Sequence, residues 1–196
     1  MESKAARLAC ANDTDQIVLV ESAGGTSARL SLHEREGGVW RELLSCDAEI
    51  GKNGVGKQRE GDYKTPLGCF SLSMPFGILP DPGSRQDYIH VDEQHCWCGC
   101  SKSGHYNRLM DMRACSHACA KPEEHLLDYP GEYNYAMFIG YNCEGVPEKG
   151  SCIFLHCFGS SGYTAGCVAV PEEVMKRIIR WARPGVRIVI EKTMME

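Results

Sequence analysis

The 196-residue chain has no long hydrophobic run. Its longest apolar runs, such as residues 17–20 and 153–155, have the length of strands, whereas a membrane-spanning helix needs about 18 apolar residues. The charged start of the chain, residues 1–11, also lacks the apolar segment of a secretory signal. The sequence therefore predicts no membrane span, and either an intracellular protein or one whose export segment is not part of this chain.

An excess of positive charge is lacking as well. Lys and Arg total 21 against 26 Asp and Glu, the formal net charge is -5, and the basic residues are scattered along the chain. Nucleic-acid binding requires clustered positive charge, so nucleic acid is not an expected partner. No repeat or linker divides the sequence, and its 43% hydrophobic content is enough for one sizeable core.

Cysteine is present in excess, with 12 residues in the chain. This number is too low for a small disulfide scaffold and too high for an ordinary intracellular domain. Three explanations compete: disulfides, metal ligands, or buried thiols with one catalytic thiol among them.

The pattern of short apolar runs and turn residues predicts a mainly β protein with a sandwich or barrel-like sheet. Long loops are expected at residues 51–66 and across much of residues 75–130, which are rich in glycine, proline and charge. One helix is expected at about residues 172–183, because Pro171 suits the first helical turn and Pro184 ends it. The strands are predicted at residues 16–21, 28–34, 39–45, 68–72, 87–91, 105–109, 135–141, 152–157, 168–170 and 186–190.

Residues 51–57, with the sequence GKNGVGK, match the first seven positions of a phosphate-binding P-loop. The eighth position is Gln58, where a P-loop needs the hydroxyl of Ser or Thr to bind magnesium. The residues that follow continue as loop rather than as a helix. We therefore interpret this segment as a solvated glycine loop and expect no nucleotide cofactor.

A cluster of cysteine and histidine in the middle of the chain is a second candidate site. Thiolates and imidazoles are the ligands that zinc prefers, but the C-x-C spacing here is poor for tetrahedral coordination. Disulfides or unrelated thiols are therefore favoured over a structural zinc, and a catalytic metal is the least favoured. If a zinc site exists, its candidate ligands are Cys96, Cys98, Cys100, Cys115, Cys119 and His117.

A third candidate site combines His156, at the end of an apolar strand, with Cys167, just before the next strand. If the two strands pair through a glycine-rich hairpin, the imidazole meets the thiol. A free thiol is mostly protonated at neutral pH and needs such a base to become a nucleophile. The amides of Gly166 and Cys167 are expected to face a developing oxyanion. The alternative is that both side chains are ordinary core residues.

The sequence around this pair closely resembles the active-site segment of the L,D-transpeptidase catalytic domain, the YkuD-like family. The strongest matches are residues 150–156 (GSCIFLH) and 163–173 (YTAGCVAVPEE). Glycine usually stands at the place of Tyr63. The resemblance implies a β-sandwich-like fold, with the catalytic domain at residues 15–196 and an N-terminal extension at 1–14. Further similar elements lie at residues 50–54, 60–68, 76–77 and 105–109.

The resemblance also implies the chemistry. Cys167 would be the nucleophile and His156 its base, with the carbonyl of Cys157 holding the ring. The thiol would attack the third-residue carbonyl of a peptidoglycan stem tetrapeptide, release D-Ala and form a thioester. Transfer of the acyl group to a diamino-acid side-chain amine would give a 3-3 cross-link, without any cofactor. Such a substrate lies outside the cytoplasmic membrane, so an extracytoplasmic, cell-wall location is expected.

The sequence departs from the family pattern beside the cysteine. Ala165 stands where many members have a second histidine, and Ala169 where they have Arg or Asn. Recognition of a substrate carboxylate is therefore expected to come from elsewhere, and the departures also allow a hydrolytic relative, a carboxypeptidase or amidase. From another class, a cysteine-rich zinc-binding or interaction module remains an alternative. The candidate substrate-binding residues are Lys64, Tyr106, Arg108, Tyr163 and Thr164.

Overall fold

A computed structural model describes residues 3–114 and 124–193 of the chain. These residues form a mainly β structure, as predicted, with one α-helix near the C-terminus. The strands are β1 (Gln16–Gly24), β2 (Ser27–Glu36), β3 (Val39–Glu49), β4 (Gly68–Gly77), β5 (Ile89–His90), β6 (His95–Trp97), β7 (Leu109–Asp111), β8 (Glu124–His125), β9 (Ala136–Ile139), β10 (Phe154–Cys157), β11 (Val168–Val170) and β12 (Arg187–Lys192). The helix α1 is Glu172–Trp181, and short 3-10 turns lie at Lys4–Arg7, Ala9–Asn12, Leu126–Asp128 and Glu132–Asn134.

The main sheet closes on itself. Its strand order is β12-β1-β2-β3-β11-β10-β9-β4-β5, and β4 pairs a second time with β12. Pairs β1–β12, β10–β11 and β4–β5 are parallel, and the other pairs are antiparallel. Closure leaves the strands of the ring without a free edge and produces a barrel-like sandwich. A second, three-stranded sheet of order β7-β6-β8 lies in the loop region.

The helix α1 covers the barrel with one apolar face. Two acidic residues lie in its first turn, where they complement the helix dipole. Its buried residues are Met175, Ile178 and Ile179, which join the core of the barrel strands. Val174 and Trp181 are partly buried and pack against the same core.

Two details of the predicted strands are wrong. Residues 105–107 form turns rather than a strand, and β7 begins only at Leu109. The strands β10 and β11 are parallel, with His156 beside Ala169, so they do not form the expected hairpin. The connecting residues bend away, and the amide of Thr164 donates to the carbonyl of Ile50 at 2.9 Å before the chain returns.

The N-terminal segment packs against the outside of the barrel. Its buried residues Ala5, Cys10 and Ala11 form a cluster with Trp40 and with side chains of β1 and β12. The division between an extension at residues 1–14 and a catalytic domain stays a prediction. Among the described residues, no helix is long and apolar enough to cross a membrane.

The cysteine-rich region lies beside the three-stranded sheet. Cys96, Cys98 and Cys100 are buried together with Met110. Cys115, His117 and Cys119 lie outside the described residues. Within residues 3–114 and 124–193, no group of three or more His, Cys, Asp or Glu side chains is placed to hold a metal ion. The zinc set therefore stays a prediction. Free thiols are found at Cys10, Cys46, Cys69, Cys143, Cys152, Cys157 and Cys167.

Candidate active site

Cys167 lies directly before β11 and directly after a glycine that the backbone requires. Gly166 has φ +146°, a region that L side chains rarely adopt. A Cβ at this position would lie 2.9 Å from the carbonyl oxygen of Lys64 and 3.2 Å from Cδ1 of Ile153. Only glycine therefore lets the chain pass this close to its neighbours and place the cysteine at the site.

Two buried threonines hold the backbone of this turn. The carbonyl of Cys167 accepts hydrogen bonds from Oγ1 of Thr164 at 2.7 Å and from Oγ1 of Thr65 at 3.1 Å. Oγ1 of Thr164 also accepts from the amide of Gly166 at 3.1 Å, and Oγ1 of Thr65 accepts from the amide of Gly51 at 2.8 Å. The Gly166 amide is therefore bonded to Thr164 in this structure, and the expected role of the Gly166 and Cys167 amides at an oxyanion stays a prediction.

Cys167 is buried, with 6% of the residue exposed. It donates to the carbonyl of Cys152 at 3.2 Å, and the amide of Phe154 donates to its sulfur at 3.3 Å. Burial raises the pKa of Cys167 to about 12, and the carboxylate of Glu124 adds to this, whereas the Phe154 amide and Lys57 oppose it. The resting nucleophile is thus neutral.

His156, on β10, is held in one orientation and one tautomer. Its Nδ1 lies 2.7 Å from the carbonyl oxygen of Cys157. A carbonyl only accepts hydrogen bonds, so Nδ1 carries the proton and Nε2 is left to accept one. Burial lowers the pKa of His156 to about 4, although the Cys157 carbonyl and Glu132 oppose this shift. The ring of Tyr133 packs edge-on against the imidazole, with centroids 5.4 Å apart.

His156 and Cys167 both line one cleft with a volume of about 680 Å³. Besides these two, carboxylates, tyrosines and one lysine contribute to its walls. The polar and aromatic lining residues are Lys57, Glu60, Tyr63, Glu124, His125, Asp128, Tyr129, Glu132, Tyr133, Ser151, Cys152, Tyr163 and Thr164. The cleft is thus predominantly acidic, and both candidate catalytic groups open into it.

The acidic wall was not predicted from the sequence. The hydroxyl of Tyr133 donates to Glu124, whose pKa is raised by burial. Glu60 accepts from the hydroxyls of Tyr106 and, at 2.8 Å, of Ser151. These carboxylates come from separate loops without a shared spacing, so no sequence pattern marks them as neighbours.

The loop that resembles a P-loop is part of the site rather than a solvated loop. The side chain of Lys57 is 2% exposed and forms an ion pair of 3.0 Å with Asp62. The carboxylate of Asp62 also accepts hydrogen bonds from the amides of Gln58, Arg59 and Lys64. Burial alone would raise the pKa of Asp62, but these hydrogen bonds and the Lys57 ion pair together lower it to about 2. From the sequence alone, a lysine in a polar, glycine-rich segment is expected to be exposed, so the burial of Lys57 was not predicted.

The predicted substrate-binding residues separate into two groups. Tyr163 and Thr164 line the cleft. The other three do not: Lys64 lies outside its lining, Arg108 is exposed elsewhere, and Tyr106 is buried with its hydroxyl accepting from the amide of Gly150 at 3.1 Å. A role for those three in substrate binding stays a prediction.

A thiol and a tautomerically fixed imidazole in an acid-lined cleft, on a closed β-sheet, define a cysteine-nucleophile enzyme. The family model of YkuD, the L,D-transpeptidase catalytic domain, matches residues 17–190. The chain therefore belongs to the YkuD family, whose members are cysteine-based enzymes that modify peptidoglycan.

Two solved structures of one protein show the same fold. The helical cell shape determining protein Pgp2 from Campylobacter jejuni aligns with a TM-score of 0.52 at 16% identity, covering 94% of this chain and 50% of that one. Its K307A mutant gives 0.52 at 17% identity, with 94% and 49% covered. Bd1075 from Bdellovibrio bacteriovorus gives 0.49 at 18%, with 91% and 48% covered. The chain thus spans about half the length of these proteins, and no curated protein matches it by sequence.

Proposed function

We propose that this protein is a peptidoglycan L,D-transpeptidase that acts on stem tetrapeptides. The observation that carries the proposal is that Cys167 and His156 both line one cleft, and that Nδ1 of the histidine donates to the Cys157 carbonyl. This leaves Nε2 as the base that a thiol nucleophile requires. Its action on peptidoglycan places the proposed reaction outside the cytoplasmic membrane.

In the first half-reaction, Nε2 of His156 takes the proton of the Cys167 thiol as the sulfur attacks the third-residue carbonyl. Burial raises the pKa of the thiol and lowers that of the imidazole, so the ion pair is disfavoured before substrate binds. Proton transfer therefore accompanies attack. The amide of Cys167 faces the oxyanion, and the imidazolium then protonates the departing D-Ala amine, which leaves a thioester.

In the second half-reaction, the side-chain amine of a diamino acid on another stem attacks the thioester. The neutral His156 takes a proton from this amine during attack and gives it to the departing sulfur, which regenerates the thiol. Four carboxylates line the cleft, which attracts an amine-bearing acceptor over an anionic one. This acidic wall, formed by Glu60, Glu124, Asp128 and Glu132, favours transfer to an amine over hydrolysis by water.

The test is incubation of the protein with purified disaccharide-tetrapeptide and analysis of the products by mass spectrometry. We expect release of D-Ala and formation of 3-3 linked dimers, both lost in Cys167→Ala and retained in Cys143→Ala. Cys143 is a matched control because its thiol is exposed and does not line the cleft. Formation of tripeptide without dimers would show that the same thiol catalyses hydrolysis rather than transfer.

A carbapenem provides a second test that needs no acceptor. The β-lactam should acylate Cys167 and add its mass to the wild-type protein and to Cys143→Ala, but not to Cys167→Ala. An adduct that survives in Cys167→Ala would show that another residue reacts, and the assignment of the nucleophile would be wrong.

A further inference from the structure

Tyr63 is an exposed aromatic residue in a strained backbone conformation at the cleft. Its φ is +56°, and 47% of the residue is exposed. Left-handed conformations are uncommon for residues other than glycine, and a bulky aromatic side chain has no local hydrogen bond to offset the cost. The ring belongs to none of the hydrophobic clusters of the described residues. Core packing therefore does not account for a tyrosine here.

The surrounding loop holds Tyr63 in this conformation. The carboxylate of Asp62 accepts hydrogen bonds from three backbone amides on both sides of Tyr63 and pairs with the buried Lys57. Asn53 adds two bonds, from its side-chain amide to the Asp62 carbonyl and from its backbone amide to the Tyr63 carbonyl, both at 2.9 Å. Strain of this kind persists where the surroundings over-determine it, and it is concentrated at functional sites.

A second exposed tyrosine is held by the same segment of chain. Tyr163 is 39% exposed, and Nζ of Lys52 lies 5.2 Å from the centre of its ring. The amide of Lys52 donates to the carbonyl of Thr164 at 2.9 Å, while the next residue, Asn53, binds Tyr63. Residues 52 and 53 thus contact the segments that carry both tyrosines. Both tyrosines line the cleft that holds the catalytic pair.

Building on the proposed function, we propose that Tyr63 and Tyr163 form an aromatic rim that stacks against the aminosugar carrying the stem peptide. The carboxylates of the cleft suit the amine of the diamino acid in the stem peptide. Both tyrosines are exposed on backbone segments that hydrogen bonds hold in place. An aminosugar ring offers a face of C–H groups bordered by hydroxyls. Such a face matches an amphipathic tyrosine, which has an apolar ring and a polar tip.

The test measures binding without turnover, in the Cys167→Ala background, by isothermal titration calorimetry. The two probes are disaccharide-tetrapeptide and the tetrapeptide without sugar, its amino terminus acetylated so that both probes carry the same charge. We expect the disaccharide to tighten binding by about three- to tenfold, the range of one aromatic contact. Tyr63→Gly removes one of the two rings, so it should reduce this difference without changing the affinity for the tetrapeptide probe, and Tyr63→Phe should retain it.

Thermal unfolding separates a binding role from a structural one. Tyr63→Gly relieves the left-handed strain while adding freedom to the unfolded chain, so its melting temperature should be unchanged or higher. A large fall would assign Tyr63 to the stability of the loop and overturn the proposal.

Three binding results would also overturn it. They are equal affinity of Cys167→Ala for the two probes, a disaccharide effect that Tyr63→Gly leaves undiminished, and an equal loss of affinity for both probes in Tyr63→Gly. In each case, D-Ala release by the wild type would show that the proposed function stands alone. If wild type releases no D-Ala and neither probe binds, both proposals fail.

Discussion

The buried imidazole of His156 should make the protein sensitive to acid. Burial lowers its pKa to about 4 in the folded state, against an ordinary value of 6.5. The unfolded chain therefore binds the proton first as the pH falls. The stability that the neutral imidazole confers is complete above pH 6.5 and is lost progressively as the pH falls towards 4. A difference of 2.5 pKa units corresponds to about 3 kcal/mol of unfolding free energy.

The change that isolates this contribution is His156→Asn, whose amide can still donate to the Cys157 carbonyl. Between pH 7.5 and pH 4.0, the unfolding free energy measured by urea titration should fall by about 3 kcal/mol more in the wild type than in the variant. His33 is a second buried histidine whose pKa burial lowers, but it is present in both proteins and cancels in the comparison.

Measurements between pH 7.5 and 8.5 serve as the internal control, because His156 is neutral there in both states. The difference between wild type and variant should stay constant in that range. If His156→Asn loses as much stability as the wild type down to pH 4.0, the imidazole does not resist protonation. The neutral catalytic pair inferred from the structure would then be wrong.

Three further predictions concern the same site. Because burial raises the pKa of Cys167 to about 12, its alkylation by iodoacetamide, followed by peptide mass spectrometry, should accelerate about tenfold per pH unit from 7 to 9; a plateau below pH 8 would contradict this. Thr65→Val should lower the unfolding free energy by about 2 kcal/mol, because the buried amide of Gly51 loses its acceptor, whereas Thr65→Ser should stay near wild type; equal losses would refute the role of the hydroxyl. Lys57→Met should cost about 3 kcal/mol by chemical denaturation, because it leaves Asp62 without its ion pair, and no change would show that the pair is not stabilising.

The family and the mainly β fold were predicted correctly from the sequence. Short segments carried that prediction, since a histidine ending an apolar strand and a Gly-Cys pair before the next strand are local features. The helix Glu172–Trp181 was equally accessible, because its proline and acidic start and its Pro-Gly end are encoded within a few residues. Local patterns of this kind do not depend on distant contacts.

The acidic wall and the burial of Lys57 could not be predicted in this way. Lys57 lies in a loop whose composition is typical of solvent exposure, and it becomes buried only because Asp62 and the segment before β10 close over it. The parallel pairing of β10 and β11 was missed for a similar reason. The loop between them is drawn away by hydrogen bonds to Ile50 and Lys52, more than a hundred residues earlier in the chain.

The sequence by itself determined the residue types that carry the chemistry, a thiol, an imidazole and the glycine that permits the turn, because these are set by local spacing and backbone requirements. Tertiary structure alone decided the protonation states of that pair and the environment it faces. Burial raises the pKa of Cys167 and lowers that of His156, and burial depends on which distant segments pack around a residue. The strained conformation of Tyr63 also depends on tertiary structure, because residues outside its own segment, such as Asn53, hold the loop in place.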